Sequence, residues 1–269
     1  MGYDPLLIEP ETVGGLIEEA FLVENYLPFS HGLTGKSFAQ AMRHYLDVFQ
    51  ARMNCDRAIT LSPVDGGKVK ILALHGVYYT DTLIVAIGTK PKPMPWQADQ
   101  KAQRRLFNSL RLMVGFLETE SVHRGNRLLP VGIVGGGDCA FDYALSLSAL
   151  AYQVEILTRS APKAIPVLQK RAKQAGIIVR LMDSPLQWQG TSEHISALPA
   201  SGKYIAVLSA IGRERRWIEG LDRLLAGRWP DQVSLIGDIA HPDLRQVAIA
   251  AGDGIRAALT YDHQRRYSL

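Results

Sequence analysis

The fold class can be predicted from one stretch of the sequence, Val131-Gly132-Ile133-Val134-Gly135-Gly136-Gly137-Asp138-Cys139-Ala140. Apolar, mostly β-branched residues run into a glycine-rich turn, and apolar residues at helical spacing follow, which predicts a strand, a tight turn and a helix. This glycine spacing is typical of a dinucleotide site, where the backbone approaches a pyrophosphate at the helix N-terminus. The alternative is a tight turn kept for packing alone. The predicted cofactor-binding residues of the turn are Gly135, Gly136, Gly137, Asp138 and Ala140.

A second apolar strand, Val154-Glu155-Ile156-Leu157, follows the helix and completes a βαβ unit. The end of this strand lies beside the ribose of a bound dinucleotide, and an acidic residue there favours NAD. This chain instead has Arg159 and Ser160, a cation and a hydroxyl that suit the 2′-phosphate of NADP. The sequence therefore predicts an NADP(H) site. The alternative is that Arg159 is an ordinary solvated residue at a strand end.

Composition excludes several classes of function. The 269 residues carry 30 Lys and Arg against 26 Asp and Glu, and the basic residues are spread along the chain. Their small clusters lack interleaved aromatic residues, which argues against nucleic acid and leaves solvated surface, or a contact with an acidic protein, as interpretations. Cys55 and Cys139 lie far apart without metal-ligand spacing, which predicts a reduced, cytoplasmic setting and no metal site. We interpret Cys139 as a packing residue, and no apolar run is long enough to predict a membrane span.

Four further helices are predicted, one of them over residues 167–175. Residues 97–118 are predicted to form one helix. A final helix begins with Arg245-Gln246, and its internal Gly252 and Gly254 suggest close approach by another group. An earlier amphipathic helix has an apolar face at steps of four, three and four, formed by Phe38, Met42, Tyr45 and Phe49.

The proline-rich segment 91–95 is a stiff connector, and we place a domain boundary there. The sequence Ala-Ile-Gly ends an apolar strand twice, at Ala86-Ile87-Gly88 and at Ala210-Ile211-Gly212. Glycine at a strand end lets the backbone pass close to a bound nucleotide or to the crossing chain. An ordinary strand-end turn is the alternative.

Taken together, these features resemble the flavin-dependent pyridine nucleotide oxidoreductases of thioredoxin-reductase type. The resemblance implies an α/β fold with two Rossmann-like domains, in which an NAD(P)-binding domain (residues 96–212, the inserted domain) interrupts an FAD-type domain (residues 1–95 and 213–269, the flanking domain). Nearly the whole chain is covered. The motifs in family order are Gly14-Gly15, residues 23–26, Ala86-Ile87-Gly88, residues 135–140, Ala210-Ile211-Gly212, and Gly237-Asp238 through Gly254.

The resemblance also implies roles for residues of the flanking domain. Gly237-Asp238 matches the motif whose aspartate binds the ribityl chain of FAD, and Arg245-Gln246-Val247 matches the segment that places a helix N-terminus against the flavin. Gly15 and Asn25 match residues that line the isoalloxazine ring, and Glu9 matches the acid on the adenosine ribose. Gly88 and Gly212 end the two Ala-Ile-Gly strands and complete the predicted cofactor-binding set.

The sequence departs from the family pattern at two places. Thiol-reducing members carry a C-x-x-C just ahead of the NADP turn, whereas residues 110–129 contain no cysteine, so the usual dithiol relay to thioredoxin is excluded. Family members also open with a strand, a G-x-G-x-x-G turn and a helix that hold the FAD pyrophosphate, and this sequence starts at what corresponds to the second strand. We expect either an upstream start, or another chain that supplies the unit, or an FAD half that has lost its flavin.

Two functions remain open from the sequence. The first is an NADPH-dependent flavoprotein oxidoreductase that passes electrons from FAD directly to a small molecule or a small electron-carrier protein, and is a homodimer. The second is a non-catalytic NADP-binding module that has lost FAD.

Overall fold

The computed structural model describes residues 3–27, 29, 31–124, 129–182, 187–198, 202–226 and 232–267. Two short 3₁₀ helices are present, Gly15–Glu19 and Gly237–Ile239. The α-helices are α1 (Gly35–Val48), α2 (Gln100–Gln103), α3 (Leu110–Arg124), α4 (Asp138–Ala149), α5 (Pro166–Gln174), α6 (Leu221–Ala226) and α7 (Val247–Tyr267). The strands are β1 (Leu6–Ile8), β2 (Arg52–Asn54), β3 (Ala58–Val64), β4 (Lys68–Ala73), β5 (Val77–Thr80), β6 (Leu83–Val85), β7 (Thr89–Pro91), β8 (Leu106–Phe107), β9 (Val131–Val134), β10 (Val154–Thr158), β11 (Ile178–Leu181), β12 (Gln187–Gly190), β13 (Ile195–Leu198), β14 (Lys203–Tyr204), β15 (Val207–Ser209), β16 (Arg213–Arg215) and β17 (Val233–Leu235).

A five-stranded parallel sheet forms the centre of the inserted domain, in the order β11-β10-β9-β15-β8. The predicted βαβ unit is confirmed, because β9 leads through the glycine turn into α4 and pairs with β10, with Val154 opposite Val131. All four residues of β9 and all five of β10 are buried, as expected for parallel strands covered on both faces. The small antiparallel sheet β12-β13-β14 completes this part of the chain.

The flanking domain is built from smaller sheets. The strands β3-β4-β5 form an antiparallel meander, whereas β1 pairs with β2 and β6 pairs with β17 in parallel. Among the described residues no strand joins these two parallel pairs. The antiparallel ribbon β7-β16 connects the two halves of the molecule at the proline-rich segment.

The buried apolar residues separate along the predicted domain boundary. Two clusters lie within residues 102–208; one centres on the parallel sheet and the other on Trp188. A third cluster draws its buried residues from 61–85 and 218–239 and centres on the meander. The predicted fold class is confirmed. The domain limits, 1–95 with 213–269 and 96–212, remain a prediction that these clusters support.

The prediction of one helix over residues 97–118 is wrong. The strand β8 separates α2 from α3, because Leu106 and Phe107 pair with β15 at the edge of the parallel sheet. A short apolar run has no periodicity of its own, so only the neighbouring strand decides its conformation. Arg105 is buried beside this strand and its guanidinium donates to the carbonyl of Ile205 at 2.9 Å.

The two amphipathic helices are less covered than their sequences predict. In α1, Phe38 is buried, but Met42, Tyr45 and Phe49 are 40, 64 and 64% exposed. The final helix α7 begins at Val247, two residues later than predicted. The chain itself does not crowd the internal glycines of α7, because a Cβ added at Gly252 would meet nothing within 4 Å and one at Gly254 only a side-chain carbon of Ile236 at 3.9 Å. The close approach by another group stays a prediction.

Candidate functional site

Different physical causes explain why each of the three positions in the turn after β9 is a glycine. Gly135 has φ +152°, and a Cβ added there would lie 2.4 Å from the carbonyl oxygen of Ala210. A Cβ on Gly136 would lie 2.6 Å from the hydroxyl of Thr158. Packing therefore requires both of these glycines. Gly137 has an ordinary φ of −95°, and a Cβ there would meet nothing within 4 Å, so packing alone does not explain it.

Backbone donors at the start of α4 are unpaired. Ala140 donates its amide to the carbonyl of Gly137 at 3.0 Å, but among the described residues the amides of 136–139 have no acceptor. Such amides, together with the positive end of the helix dipole, form a site for an anion. The carboxylate of Asp138 is already engaged, because it accepts the amide of Ile165 at 2.8 Å. This bond holds the loop after β10.

This loop carries Arg159 and Ser160 beside the turn. The amides of Lys163 and Ala164 donate to the carbonyl of Gly136 at 2.7 and 3.1 Å, and Thr158 donates its hydroxyl to the carbonyl of Ser160 at 2.9 Å. Arg159 is exposed at the end of β10 and forms no ion pair within the described residues. The loop thus places an exposed cation at the end of β10, and its role toward a 2′-phosphate stays a prediction.

The residues matched to flavin binding form a second group around the start of α7. Asn25 donates its side-chain amide to the side-chain oxygen of Gln246 at 2.5 Å. Gly237 has φ +65°, and its amide donates to the buried carboxylate of Asp253 at 2.9 Å, which fixes the backbone next to Asp238. Burial raises the pKa of Asp238, and the nearby charges of Arg245 and Arg213 lower it.

The remaining predicted residues are distributed around these two groups. Gly15 and Gly88 have φ of +50° and +66°, and a Cβ on either would meet nothing within 4 Å, so both leave open space. Gly212 has φ +113° and lies beside the side chain of Lys92. Glu9 follows β1 and its carboxylate accepts the amide of Glu11 at 3.0 Å, and no contact within the described residues links it to the second group.

The charges of two arginines act on titratable residues of both groups. Burial raises the pKa of Cys139, on the first turn of α4, whereas the hydrogen bond with Tyr143 and the charges of Arg245 and Arg213 lower it. The same two arginines lower the pKa of Asp238. The nucleotide turn and the flavin-type motif, about 100 residues apart in sequence, therefore lie within electrostatic reach of the same two arginines. The raised pKa of the thiol supports packing, rather than nucleophilic chemistry, for Cys139.

Sequence reasoning missed two features of this region. Arg213 was interpreted only as part of a small basic cluster, residues 213–216, that is solvated surface or contacts an acidic protein, although its place directly after Gly212 was a signal. The contacts of residues 11–24 with α3, α4 and α5 had no sequence signal, because they join residues far apart in the chain. They are Glu11 with Arg111, Glu19 with the hydroxyls of Ser109 (2.6 Å) and Tyr143 (2.8 Å), the amide of Phe21 with Asp142 (2.8 Å), and Glu24 with Arg171 (2.5 and 2.9 Å).

Comparison with known proteins identifies the family. A model of the pyridine nucleotide-disulphide oxidoreductases matches residues 64–254, which is well over half of the chain. The chain belongs to this family. Among curated relatives, the bifunctional thioredoxin reductase/thioredoxin of Mycobacterium leprae is 25% identical over 282 residues, 95% of this chain and 59% of the relative's length. The glucosaminate ammonia-lyase of Pseudomonas fluorescens is 28% identical over 286 residues, 95% of this chain and 86% of its own.

Solved structures show the same fold. The thioredoxin reductase of Lactococcus lactis in its FR conformation has a TM-score of 0.76 at 18% identity, with 96% of this chain and 90% of that chain covered. The predicted resemblance to this oxidoreductase family is therefore confirmed, and so is its fold of two Rossmann-like domains. In the described part of the chain no group of three or more His, Cys, Asp or Glu could hold a metal, and no helix has the length and apolarity of a membrane span.

The described residues fit the implied cofactors to different degrees. The open space at Gly137 and the unpaired amides fit the pyrophosphate of a nicotinamide dinucleotide. The half-buried carboxylate of Asp238, with Asn25 and Gln246 nearby, fits the ribityl and ring portion of a flavin. No second unit of strand, glycine-rich turn and long helix occurs among the described residues, so the pyrophosphate of FAD finds no matching set of amides there.

Proposed function

We propose that this protein is an NADPH-dependent flavoprotein oxidoreductase that passes electrons from FAD directly to an acceptor, without a redox-active disulfide. The observation that carries the proposal is the glycine turn, where Gly137 leaves open space and the amides of 136–139 have no acceptor among the described residues. The charges of Arg213 and Arg245 reach both this turn, at Cys139, and Asp238. Cys55 and Cys139 are both free, and Cys55 is exposed while Cys139 lies in α4, so no dithiol stands between the two cofactor sites.

The roles of the residues follow from their positions. The amides of 136–139 and the dipole of α4 hold the dinucleotide pyrophosphate, while Arg159 and Ser160 hold its 2′-phosphate. Asp238 would hold the ribityl hydroxyls of FAD as a hydrogen-bond acceptor, and the positive dipole end of α7, at Val247, would stabilise negative charge on the flavin ring. When bound, FAD supplies the hydride acceptor. The chain needs no side-chain base, because alignment of donor and acceptor is its main task.

A non-catalytic NADP-binding module is the second candidate. It is favoured by one observation, the lack of a matching amide set for the FAD pyrophosphate among the described residues. In that case the nucleotide turn would be functional and Asp238 would be a relic of an ancestral flavin site.

Cofactor binding separates the two candidates. The purified full-length chain is incubated with FAD, and bound flavin is measured by its visible absorption after gel filtration. An enzyme retains flavin that NADPH bleaches without oxygen, and Asp238→Ala loses flavin while NADPH binding remains. A protein that stays colourless but binds NADPH in calorimetry supports the binding module. A protein that binds neither cofactor contradicts both proposals.

The proposal includes partners and a location. We propose a small molecule or a small electron-carrier protein as the acceptor, a homodimer as the assembly, and a cytoplasmic location on the basis of the free cysteines. Neither nucleic acid nor a membrane is part of the proposed function.

A further inference from the structure

We propose that Arg213 is a further nucleotide-binding residue, whose guanidinium contacts the pyrophosphate of the bound dinucleotide. This inference rests on the proposed function, since it refines the same nucleotide site. Arg213 belongs to none of the motifs that the family resemblance matched to cofactor binding, and it is assigned here from its surroundings alone.

The first argument is its position at the edge of the sheet. The strand β15 pairs with β9, with Ser209 opposite Val134, so both strands end at the same edge. Gly135 continues from β9 and nearly touches the carbonyl of Ala210, which continues from β15. Gly212 then bends the chain, with φ +113°, and Arg213 follows. Ligands of open parallel sheets bind in the crevice at the carboxyl ends of the strands, where this residue lies.

The second argument is that the side chain is held in place but its charge is not neutralised. Arg213 donates Nε to the hydroxyl of Thr89 and Nη2 to the carbonyl of Thr89, both at 2.9 Å, and Thr89 is only 5% exposed. Within the part of the chain that the structure describes, no carboxylate forms an ion pair with this guanidinium. A half-buried, oriented guanidinium with free N–H groups is suited to binding a phosphate.

The third argument is that its charge acts on residues of both groups. The positive charge of Arg213 lowers the pKa of Cys139, in the first turn of α4, and that of Asp238. The unpaired amides of 136–139 belong to the same turn as Cys139. The charge of Arg213 therefore reaches the turn that carries the unpaired amides, and the pyrophosphate is the part of a dinucleotide that brings two negative charges to such amides.

The competing explanation is structural. Arg213 lies on β16 opposite Pro91, and its bonds to Thr89 could serve only to hold the ribbon β7-β16 together. The two explanations differ in their prediction. A ribbon contact affects stability, whereas a phosphate contact affects the affinity for every dinucleotide that has a pyrophosphate, with or without a 2′-phosphate.

The test is calorimetric titration of the full-length chain with NADPH and, separately, with NADH, for the wild type and for Arg213→Gln. We expect about tenfold weaker binding of both nucleotides by Arg213→Gln, since a hydrogen bond to a charged group is worth about that factor. The salt dependence of binding should also decrease. Arg216→Gln is the matched control, because Arg216 has the same charge, follows the same strand and is exposed on the opposite face of the ribbon.

Further variants keep the proposal testable if Arg213→Gln folds poorly. Arg213→Lys keeps the charge without the planar fork and should bind both nucleotides with intermediate affinity. Thr89→Val removes one of the two bonds that orient the guanidinium and should have a smaller effect in the same direction. The inference is overturned, and the proposed function is not, if Arg213→Gln and Thr89→Val bind both nucleotides with unchanged affinity and only their melting temperature falls. A wild type that binds neither nucleotide overturns the proposed function and this inference together.

Discussion

Adjacent glycines in the turn after β9 have different roles. Gly135 and Gly136 are needed by the fold, because a side chain would collide with Ala210 or with Thr158. Gly137 has room for a side chain in the protein itself, so its lack of a Cβ matters only to something that approaches from outside. This difference separates the packing interpretation of the motif from the ligand-binding one at the level of single atoms.

Substitution of these glycines should therefore separate stability from binding. We expect Gly137→Ala to leave the free energy of unfolding within about 0.5 kcal/mol of the wild type while it weakens NADPH binding. Gly135→Ala should lower the free energy of unfolding by about 2 kcal/mol, because it strains a positive φ and crowds Ala210. Denaturant titration and calorimetry measure the two quantities. Unchanged NADPH affinity in Gly137→Ala would contradict the ligand-binding interpretation.

Arg159 determines the choice of nucleotide in our proposal. It is exposed and without an ion pair among the described residues, at the end of the strand where NAD-specific sites have an acid. Arg159→Glu should weaken NADPH binding at least about tenfold and leave NADH binding nearly unchanged. Lys170→Glu, an exposed cation on α5, is the control for a general change of charge. Equal losses for both nucleotides would refute the role.

At the scale of elements, residues 11–24 of the flanking domain form hydrogen bonds and ion pairs with the region of three helices of the inserted domain. The helices α3, α4 and α5 each contribute side chains to this contact, and Phe21 packs against their apolar cluster. Asp142 on α4 is its most unusual member. Burial raises the pKa of its carboxyl to about 6, although the amides of Phe21 and Leu22 lower it, and the charge of Asp138 raises it further.

This carboxyl should make the contact dependent on pH. Because its pKa is raised from 3.8 to about 6, the folded protein binds the proton more tightly than the unfolded chain. The resulting stabilisation is fully present below pH 3.8 and is lost as the pH rises through about 6. Asp142→Asn should therefore reduce the change in the free energy of unfolding across this pH range by about 1–2 kcal/mol. Denaturant titrations between pH 4 and pH 8 measure it, with Asp65→Asn in an exposed turn as control. Parallel curves for wild type and Asp142→Asn would contradict the prediction.

On the scale of the whole molecule, the two apolar clusters of the inserted domain are separate from the cluster around the meander. Among the described residues, the ribbon β7-β16 and the contact of residues 11–24 link the two parts. A ligand of the inserted domain should therefore stabilise the two parts unequally.

Nucleotide binding should be visible as uneven protection from hydrogen exchange. NADPH at about 100 times its Kd stabilises the part that binds it by about 2.7 kcal/mol. We expect this gain in the amides of β9, β10 and α4, and a smaller one in the meander β3-β4-β5. Mass spectrometry of exchanged peptides with and without NADPH measures the difference. Uniform protection over both parts would indicate that they behave as one cooperative unit.

Much of the inserted domain could be predicted from its sequence. The β9 turn, α4 and β10 were predicted because hydrophobic periodicity and glycine spacing are local properties, and Arg159 because its distance from the turn is fixed by one βαβ unit. Residues 97–118 were not, because Leu106 and Phe107 become a strand only when β15 offers them hydrogen bonds. The strands β12 and β13 were missed because each has only four residues, which is too short for a periodic pattern to stand out from the polar residues around it.

The sequence alone predicted the family and the strand, turn and helix around Gly135, and it contains no C-x-x-C, because each of these depends on which residues follow one another. Only the tertiary structure could show that Arg213 and Arg245 influence both Cys139 and Asp238, that Asp142 is buried against the amide of Phe21, and that Gly137 faces open space. The physical reason is distance. Charges, burial and collisions act between atoms that are close in space, and the chain brings these residues together only when its strands and helices have packed.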